Sequence, residues 1–275
     1  MDGLIAKVDS RESHWIDEVR GHLEVDGVVC IPHVFADHEI ERLVRATYTA
    51  YRAVEQHVGQ QKLDAAGEVG VVRCPMKFDD AFFIPFASGI IQAIVENLLG
   101  SSVICHLQNG FVLPPIGPRS EEYFQGKLHR DFPRYMNGYV ASLNSFICLS
   151  DFTSKSGSTR FLVGSQQQPC NQPPNSIDNS FSAEAPAGSV IFFDSTIWHA
   201  AGLNISGADR LAINMQWTHS YIKQQFDYVR VLGDAKIKSL PDKTQQYLGW
   251  YTRVVTSLDE YYLPPEQRLY RSGQG

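Results

Sequence analysis

At Val103 the spacing of apolar residues changes. Before that point they recur every three to four positions, as along one face of a helix. After it they come as β-branched and aromatic runs set off by turn residues, as strands do. The candidate strands are 103–112, 126–131, 139–150, 159–163, 188–194 and 210–217. No helical pattern alternates with them, which points to an antiparallel barrel or jelly roll with the earlier helices packed outside. No internal repeat of solenoid length is visible.

The helical part divides into three. Trp15, Ile16, Val19 and Leu23 lie at helical spacing before the turn residues Asp26 and Gly27 and a short β-rich run, Val28 to Ile31. Asp37 can cap a second helix, in which Ile40, Leu43, Val44, Tyr48 and Tyr51 share a face. A third is expected from about Ser88, with Ile90, Ile91, Ile94 and Leu98 inward and Gly100 placed to end it. All three stripes read as core packing. The fold class is therefore mainly β with flanking helices (α+β). A length of 275 residues fits one large β-rich domain, with 1–100 a mostly helical flank, 101–220 the jelly-roll core and 221–275 a helical tail. Two stretches, 60–83 and 165–188, read as long surface loops; loops of this length often act as lids or binding loops, although 165–188 taken alone is as well explained as an insertion.

Composition narrows the function. Hydrophobic residues make up 43% and charged residues 20%, a globular balance far from disordered or membrane chains. The longest apolar stretches, such as GIIQAIVENLLG, fall short of the ~20 residues a membrane span requires. The N-terminus lacks the pattern of a secretory signal, so a cytoplasmic protein is expected. The net charge of −6 comes without any basic stripe, which argues against nucleic acid or an anionic membrane as partner. Cys30, Cys74, Cys105, Cys148 and Cys170 are widely spread with no CxxC pair and read as reduced thiols, mostly small core residues.

The run KLHRDFPRYM places His129 and Asp131 two residues apart in a candidate strand, so both side chains share a face while Arg130 points the other way. A third ligand must then come from elsewhere. GSVIFFDSTIWHAAGLN offers His199 just past the end of an apolar strand. Two histidines and one carboxylate on one side of a metal form the facial triad of non-haem iron(II) oxygenases. The pattern alone leaves alternatives open, because HxD triplets arise by chance and a lone histidine is more often structural than a ligand. Of the other histidines, His14, His22, His38 and His57 sit in helical or polar surroundings. His33, His106 and His219 lie near strands without a carboxylate two residues away. Arg210 begins a strand eleven residues after His199, and a guanidinium there could pair with the far carboxylate of a dicarboxylic cosubstrate or serve only as a structural ion-pair partner.

Four pieces in order, DGVVCIPHVF, LHRDF, SDFTSKSGSTRFLVGS and GSVIFFDSTIWHAAGLNISGADRLAINMQW, give the chain a resemblance across about residues 26 to 217. It resembles the phytanoyl-CoA dioxygenase-like branch of the iron(II)/2-oxoglutarate oxygenases. The resemblance implies a double-stranded β-helix (jelly roll, cupin-like) core and iron held by His129, Asp131 and His199. It further implies 2-oxoglutarate with its far carboxylate on Arg210, O2 as oxidant, and a polar cosubstrate or substrate contact at Gln108. Two departures stand out. VGSQQQ replaces the Pro-Gly-Ser-His run of many members, and Ala201 stands where several carry a hydroxyl two residues past the distal histidine. The implied reaction hydroxylates, desaturates or cyclises a small-molecule substrate and releases succinate and CO2. Secondary metabolism is the setting by family analogy alone. The carboxylate at Asp131 argues against a halogenase, in which a small residue replaces that ligand.

Substrate contacts are expected from the two long loops, from Phe132 and Arg134, and from the aromatic tail around Tyr247 to Tyr262, each of which also has a plain packing explanation. Trp198 is read as bracing the strand end. Two rival readings remain: a cupin-like metalloenzyme that uses no 2-oxo acid, for which Arg210 is the discriminating residue, and a non-catalytic jelly-roll binding module free of iron. Homo-oligomerisation is left open.

Overall fold

Each residue of RLAINMQWT, Arg210–Thr218, is buried, so this strand must be covered on both faces. Its period of two sorts the side chains. Leu211, Ile213, Met215 and Trp217 enter a large apolar core shared with the helices, while Arg210, Asn214 and Gln216 line a cavity on the other face. The computed structural model describes residues 3–117, 126–169, 174, 180–268, 270–271 and 273–274.

The strands in chain order are β1 (Gly3–Leu4), β2 (Val28–Ile31), β3 (Val71–Arg73), β4 (Ile104–Leu113) and β5 (Ser142–Cys148), then β6 (Thr159–Phe161), β7 (Phe181–Ser182), β8 (Val190–Asp194), β9 (His199–Ala201) and β10 (Arg210–Thr218). Six form the larger sheet in the order β2-β8-β5-β10-β4-β3, and four form the smaller sheet β1-β7-β6-β9. The pairings within the larger sheet are antiparallel. The double-layered, jelly-roll arrangement expected from the sequence is the fold observed. A second, smaller apolar cluster, including Cys30, Phe146, Phe152, Phe161 and Phe193, fills the space between the sheets.

Helices α1 (Trp15–Val25), α2 (Asp37–Val58), α3 (Gln60–Ala66) and α4 (Gly89–Leu99) precede the main strands. Val19 and Leu23 of α1, Ile40 and Leu43 of α2, and Ile91, Ile94, Val95 and Leu99 of α4 are buried in the core behind the larger sheet. Removing each such side chain from water stabilises the fold by roughly 1.5–3 kcal/mol. Trp217 anchors the same layer. Its ring meets Phe86 at 5.9 Å and Tyr247 at 5.1 Å edge-on, and its Nε1 donates to Ser145 Oγ at 2.9 Å. Among the described residues no single helix is long and apolar enough to cross a membrane. The apolar stretch Asp80–Ala87 that leads into α4 is core instead, with Phe82 and Phe86 fully buried.

Several expectations need correction. Segment 126–131 is not a strand, and only His129 forms a bridge, to His199. Within the mostly helical first hundred residues, the expected run Val28–Ile31 is β2 at one edge of the larger sheet, and β3, which the sequence reading did not include, closes the other edge. The stretch 60–83 is not an open loop, because it contains α3, β3 and a tight helical turn at Pro75–Lys77. Residues 170–173 and 175–179 of the other candidate loop, and with them Cys170, lie outside the described residues. Asp37 is the first residue of α2 rather than its cap; the free N–H of Ala36 donates to the Glu39 carboxylate at 3.0 Å. The tail is a series of short helices, α5 (Tyr228–Leu232), α6 (Asp234–Lys238), α7 (Asp242–Tyr247) and α8 (Leu258–Tyr261). Gly233 and Gly249, both at positive φ, end two of its turns.

Candidate active site

The bridge between His129 and His199 sets the geometry of the site. Each backbone N–H donates to the other residue's carbonyl at 3.0 Å, which holds the two imidazole centroids 4.3 Å apart. Asp131, two residues on, brings Oδ1 to 3.5 Å from His129 Nε2 and 3.9 Å from His199 Nε2. One ligand atom from each of the three lies within 4.8 Å of the others, a cluster that could hold a metal ion.

The surroundings prepare these atoms to coordinate. His129 Nδ1 faces the Lys127 carbonyl at 2.6 Å, and His199 Nδ1 faces the Ile197 carbonyl at 3.1 Å. A carbonyl only accepts, so in the neutral ring Nδ1 carries the proton and Nε2 keeps its lone pair for the centre. Burial, then the neighbouring His129, pushes the His199 pKa down to about 4, which favours that neutral ring. Burial tends to raise the Asp131 carboxyl, yet the two imidazoles and a hydrogen bond from Asn214 outweigh it and hold the group below its ordinary range. For His129 the carboxylate of Asp131 prevails over burial and raises the pKa. Among the described residues Asp131 Oδ2 is buried without a hydrogen-bond partner. A buried carboxylate with one oxygen beside two imidazole nitrogens and the other unpartnered is a poor arrangement for an apolar core and a good one for a cation. The N,N,O donor set fits iron(II).

The cluster opens into a cavity of about 230 Å³ between the sheets. Arg210 lines the same cavity and is 1% exposed, with Nη1 donating to the Gly157 carbonyl at 2.7 Å and the guanidinium carbon 4.7 Å from the Phe152 ring centre. Burial lowers its pKa to about 10, so it remains a cation at neutral pH. Gly157 and Gly202 pass so closely here that a Cβ on Gly157, at φ +75°, would stand 2.6 Å from the Gly202 carbonyl oxygen. That close approach keeps the Gly157 carbonyl within reach of Arg210.

Of the residues singled out from the sequence, His129, Asp131, His199 and Arg210 therefore surround one cavity. Gln108 does not, and its assignment is corrected. Leu107 and Asn109 line the cavity, so alternation along β4 turns Gln108 to the other face, where Nε2 donates to the Phe82 carbonyl at 2.9 Å. Phe132 and Arg134 are half-buried and exposed, respectively, and neither lines the cavity; Tyr247, Trp250 and Tyr251 are packed in the core behind the sheet. Arg130 points away from the cluster, with Nη2 donating to the Ser165 carbonyl at 2.8 Å and its guanidinium 4.8 Å from the Trp198 ring centre. Trp198 is therefore packed against Arg130 and does not line the cavity.

Among the cavity residues that escaped the sequence reading are Asn214, Asn109 and Arg73. They lie in one cross-strand row, since Asn214 pairs with Asn109 and Asn109 with Arg73. Arg73 comes from the 60–83 stretch and is held bidentately by Glu68 at 2.8 and 2.5 Å. With its amide oxygen toward Arg73, Asn109 accepts from Nη1 at 2.8 Å. Asn214 was within reach of the sequence, because it lies an even number of residues from Arg210 on one strand.

The phytanoyl-CoA dioxygenase (PhyH) family profile matches residues 23–212. The chain is 43% identical over 272 residues to the uncharacterized protein Rv1501 of Mycobacterium tuberculosis, covering 98% of each. It is 24% identical to dioxygenase ALT11 of Alternaria alternata, covering 86% of this chain and 82% of that protein. Among solved structures, the non-heme alpha ketoglutarate dependent epimerase SnoN superposes with a TM-score of 0.57 at 19% identity, covering 75% of this chain and 82% of that one. The non-heme monooxygenase ThoJ in its nickel complex also gives 0.57 at 19% identity, over 76% and 80%. The chain belongs to the phytanoyl-CoA dioxygenase family, as a non-haem iron, 2-oxoglutarate-dependent dioxygenase.

Proposed function

We propose that the chain hydroxylates a small molecule at an iron(II) held by His129, Asp131 and His199, with the far carboxylate of 2-oxoglutarate on Arg210. The observation that carries this is the convergence of two histidines and a carboxylate within 4.8 Å at a cavity that also holds a buried guanidinium. When bound, iron(II) supplies the chemistry that couples decarboxylation of 2-oxoglutarate to oxidation of a C–H bond, with succinate and CO2 released. The protein's part is placement. Asn214 holds Asp131 by a hydrogen bond, the Lys127 and Ile197 carbonyls fix the imidazole tautomers, and Phe161 and Phe193 wall His199 at 5.6 and 4.9 Å. Arg73 and Asn109 sit in line with Asn214 and belong to the substrate side of the cavity. A biosynthetic tailoring role and desaturation or cyclisation as variant outcomes belong to the same proposal, by family analogy. So does a single domain over residues 1–275, supported by an apolar core that joins α1, α2, α4 and the tail to the larger sheet. A cytoplasmic setting is supported by the free, buried Cys30, Cys74, Cys105 and Cys148.

The test is anaerobic loading with iron(II) and 2-oxoglutarate, followed by oxygen and measurement of succinate across candidate metabolites. Succinate should form in step with oxygen consumption in the wild type and vanish in Asp131→Ala. Full iron-dependent succinate production by that variant would refute the ligand assignment, and iron uptake without 2-oxoglutarate binding would favour a cupin-like enzyme that uses no 2-oxo acid.

A further inference from the structure

Arg210 opens β10, Asn214 stands further along the same face and donates to Asp131, and Gln216 lies beyond it, one side-chain period on. All three line the cavity, so the metal centre divides it. The cosubstrate would take the Arg210 side, which leaves the Gln216 side to the molecule that is oxidised. The direction of each amide there can be read. Asn214 faces a carboxylate, which only accepts, so Nδ2 points to Asp131 and Oδ1 is left over. That oxygen is buried with no hydrogen-bond partner among the described residues. Gln216 is 3% exposed, and its Nε2 donates to Ser142 Oγ at 2.8 Å. Ser142 Oγ in turn meets Ser195 Oγ at 2.8 Å, to which Asn144 Nδ2 also donates at 2.7 Å. This buried chain holds the Gln216 nitrogen against β5, and Oε1 accepts nothing from the described residues. Buried polar atoms nearly always find partners, so two acceptor oxygens left over at successive positions of one cavity face mark where donors of a ligand complete the set.

We infer that Gln216 selects the substrate, its Oε1 accepting a hydrogen bond from a hydroxyl or N–H group of that molecule, with Asn214 Oδ1 as a second acceptor. The inference rests on the function proposed above and narrows its substrate class to alcohols, amines and amides that carry a free polar hydrogen. An ether or ester of the same shape leaves the oxygens unfilled. An unfilled buried acceptor costs more than the contact itself contributes, so a site of this kind discriminates chiefly by rejection.

The experiment compares two probes of one skeleton, cyclohexanol and methoxycyclohexane. Each is titrated by saturation-transfer NMR into protein loaded with 2-oxoglutarate and with zinc, which stands in for iron(II) so that no turnover occurs. Calorimetry measures 2-oxoglutarate and zinc on the same samples. The proteins are wild type, Gln216→Met and Gln216→Glu. Wild type should bind the alcohol about fivefold or more tighter than the ether, the worth of one hydrogen bond. Gln216→Met should bind the two probes within about twofold of each other, with 2-oxoglutarate and zinc affinities unchanged. Gln216→Glu keeps an acceptor oxygen whether ionised or protonated, and it should keep the preference. Four results would overturn the inference and leave the proposed function standing: a wild type that binds neither probe or both alike, a preference that survives in Gln216→Met, a preference lost in Gln216→Glu, or a Gln216→Met protein that also loses 2-oxoglutarate. Failure of the zinc-loaded wild type to bind 2-oxoglutarate would overturn both.

Discussion

Replacing Gly157 by alanine tests how tightly the chain beside β6 and β9 of the smaller sheet is packed at the cavity. Two costs add. At φ +75° an L-residue is strained by roughly 1–2 kcal/mol. The new Cβ would also lie 2.6 Å from the Gly202 oxygen and 3.0 Å from the Asn204 nitrogen, both backbone atoms that cannot swing aside. Forcing such atoms apart costs about 1–3 kcal/mol, so the total is about 2–5 kcal/mol. Gly207 provides the control: it has φ +82° but nothing within 4 Å of its added Cβ, so Gly207→Ala should show only the first cost. Urea unfolding followed by tryptophan fluorescence, with thermal unfolding alongside, measures both. At about 2–4 °C per kcal/mol for a chain of this size, Gly157→Ala should lower Tm by about 4–20 °C and Gly207→Ala by about 2–8 °C. Gly157→Ala should also weaken 2-oxoglutarate, because the displaced carbonyl is the one that holds Arg210. Equal destabilisation by the two substitutions, within about 0.5 kcal/mol, would refute the claim that the Gly157–Gly202 approach is tightly packed.

Arg210→Met removes the buried cation and should weaken 2-oxoglutarate by about 30-fold or more, with iron affinity unchanged, when both are measured by calorimetry. Asn214→Leu deletes a hydrogen bond that holds Asp131 and should weaken iron, or cobalt as its surrogate, by about 10- to 100-fold in a competition assay with a chelating dye. Burial pushes the thiols of Cys30 and Cys74 up to about 11, and those of Cys105 and Cys148 well above the usual value. Since the thiolate is the reactive form, maleimide labelling near neutral pH followed by peptide mass spectrometry should find these four unmodified until the protein is denatured.

Most strands were legible because each is a β-branched or aromatic run set off by turn residues. The expected 103–112, 139–150, 159–163, 188–194 and 210–217 appear as β4, β5, β6, β8 and β10, with ends displaced by no more than three residues. The two- and three-residue strands β1, β7 and β9 are too short to show a period, and partners distant in sequence impose their pairing. The triad could be found because HxD places two ligand types on one side of the chain and the distal histidine follows a clear apolar strand. The bridge that joins His129 to His199 had no local signal. Gln108 failed for a different reason: polarity located the right strand, but only the register of β4 against β10 decides that Asn109 faces the cavity. Arg73 was hidden by a glycine- and charge-rich stretch whose strand character arises from pairing with β4.

The paired N–H and C=O groups of His129 and His199 make sheet registry and coordination a single variable. Loops between the two halves can lengthen or shorten without disturbing the donors, since the two histidines find each other through the main chain. A one-residue insertion between Trp198 and His199 would instead swing that imidazole to the opposite side of the ribbon, and the centre would be lost while most of the barrel stayed intact.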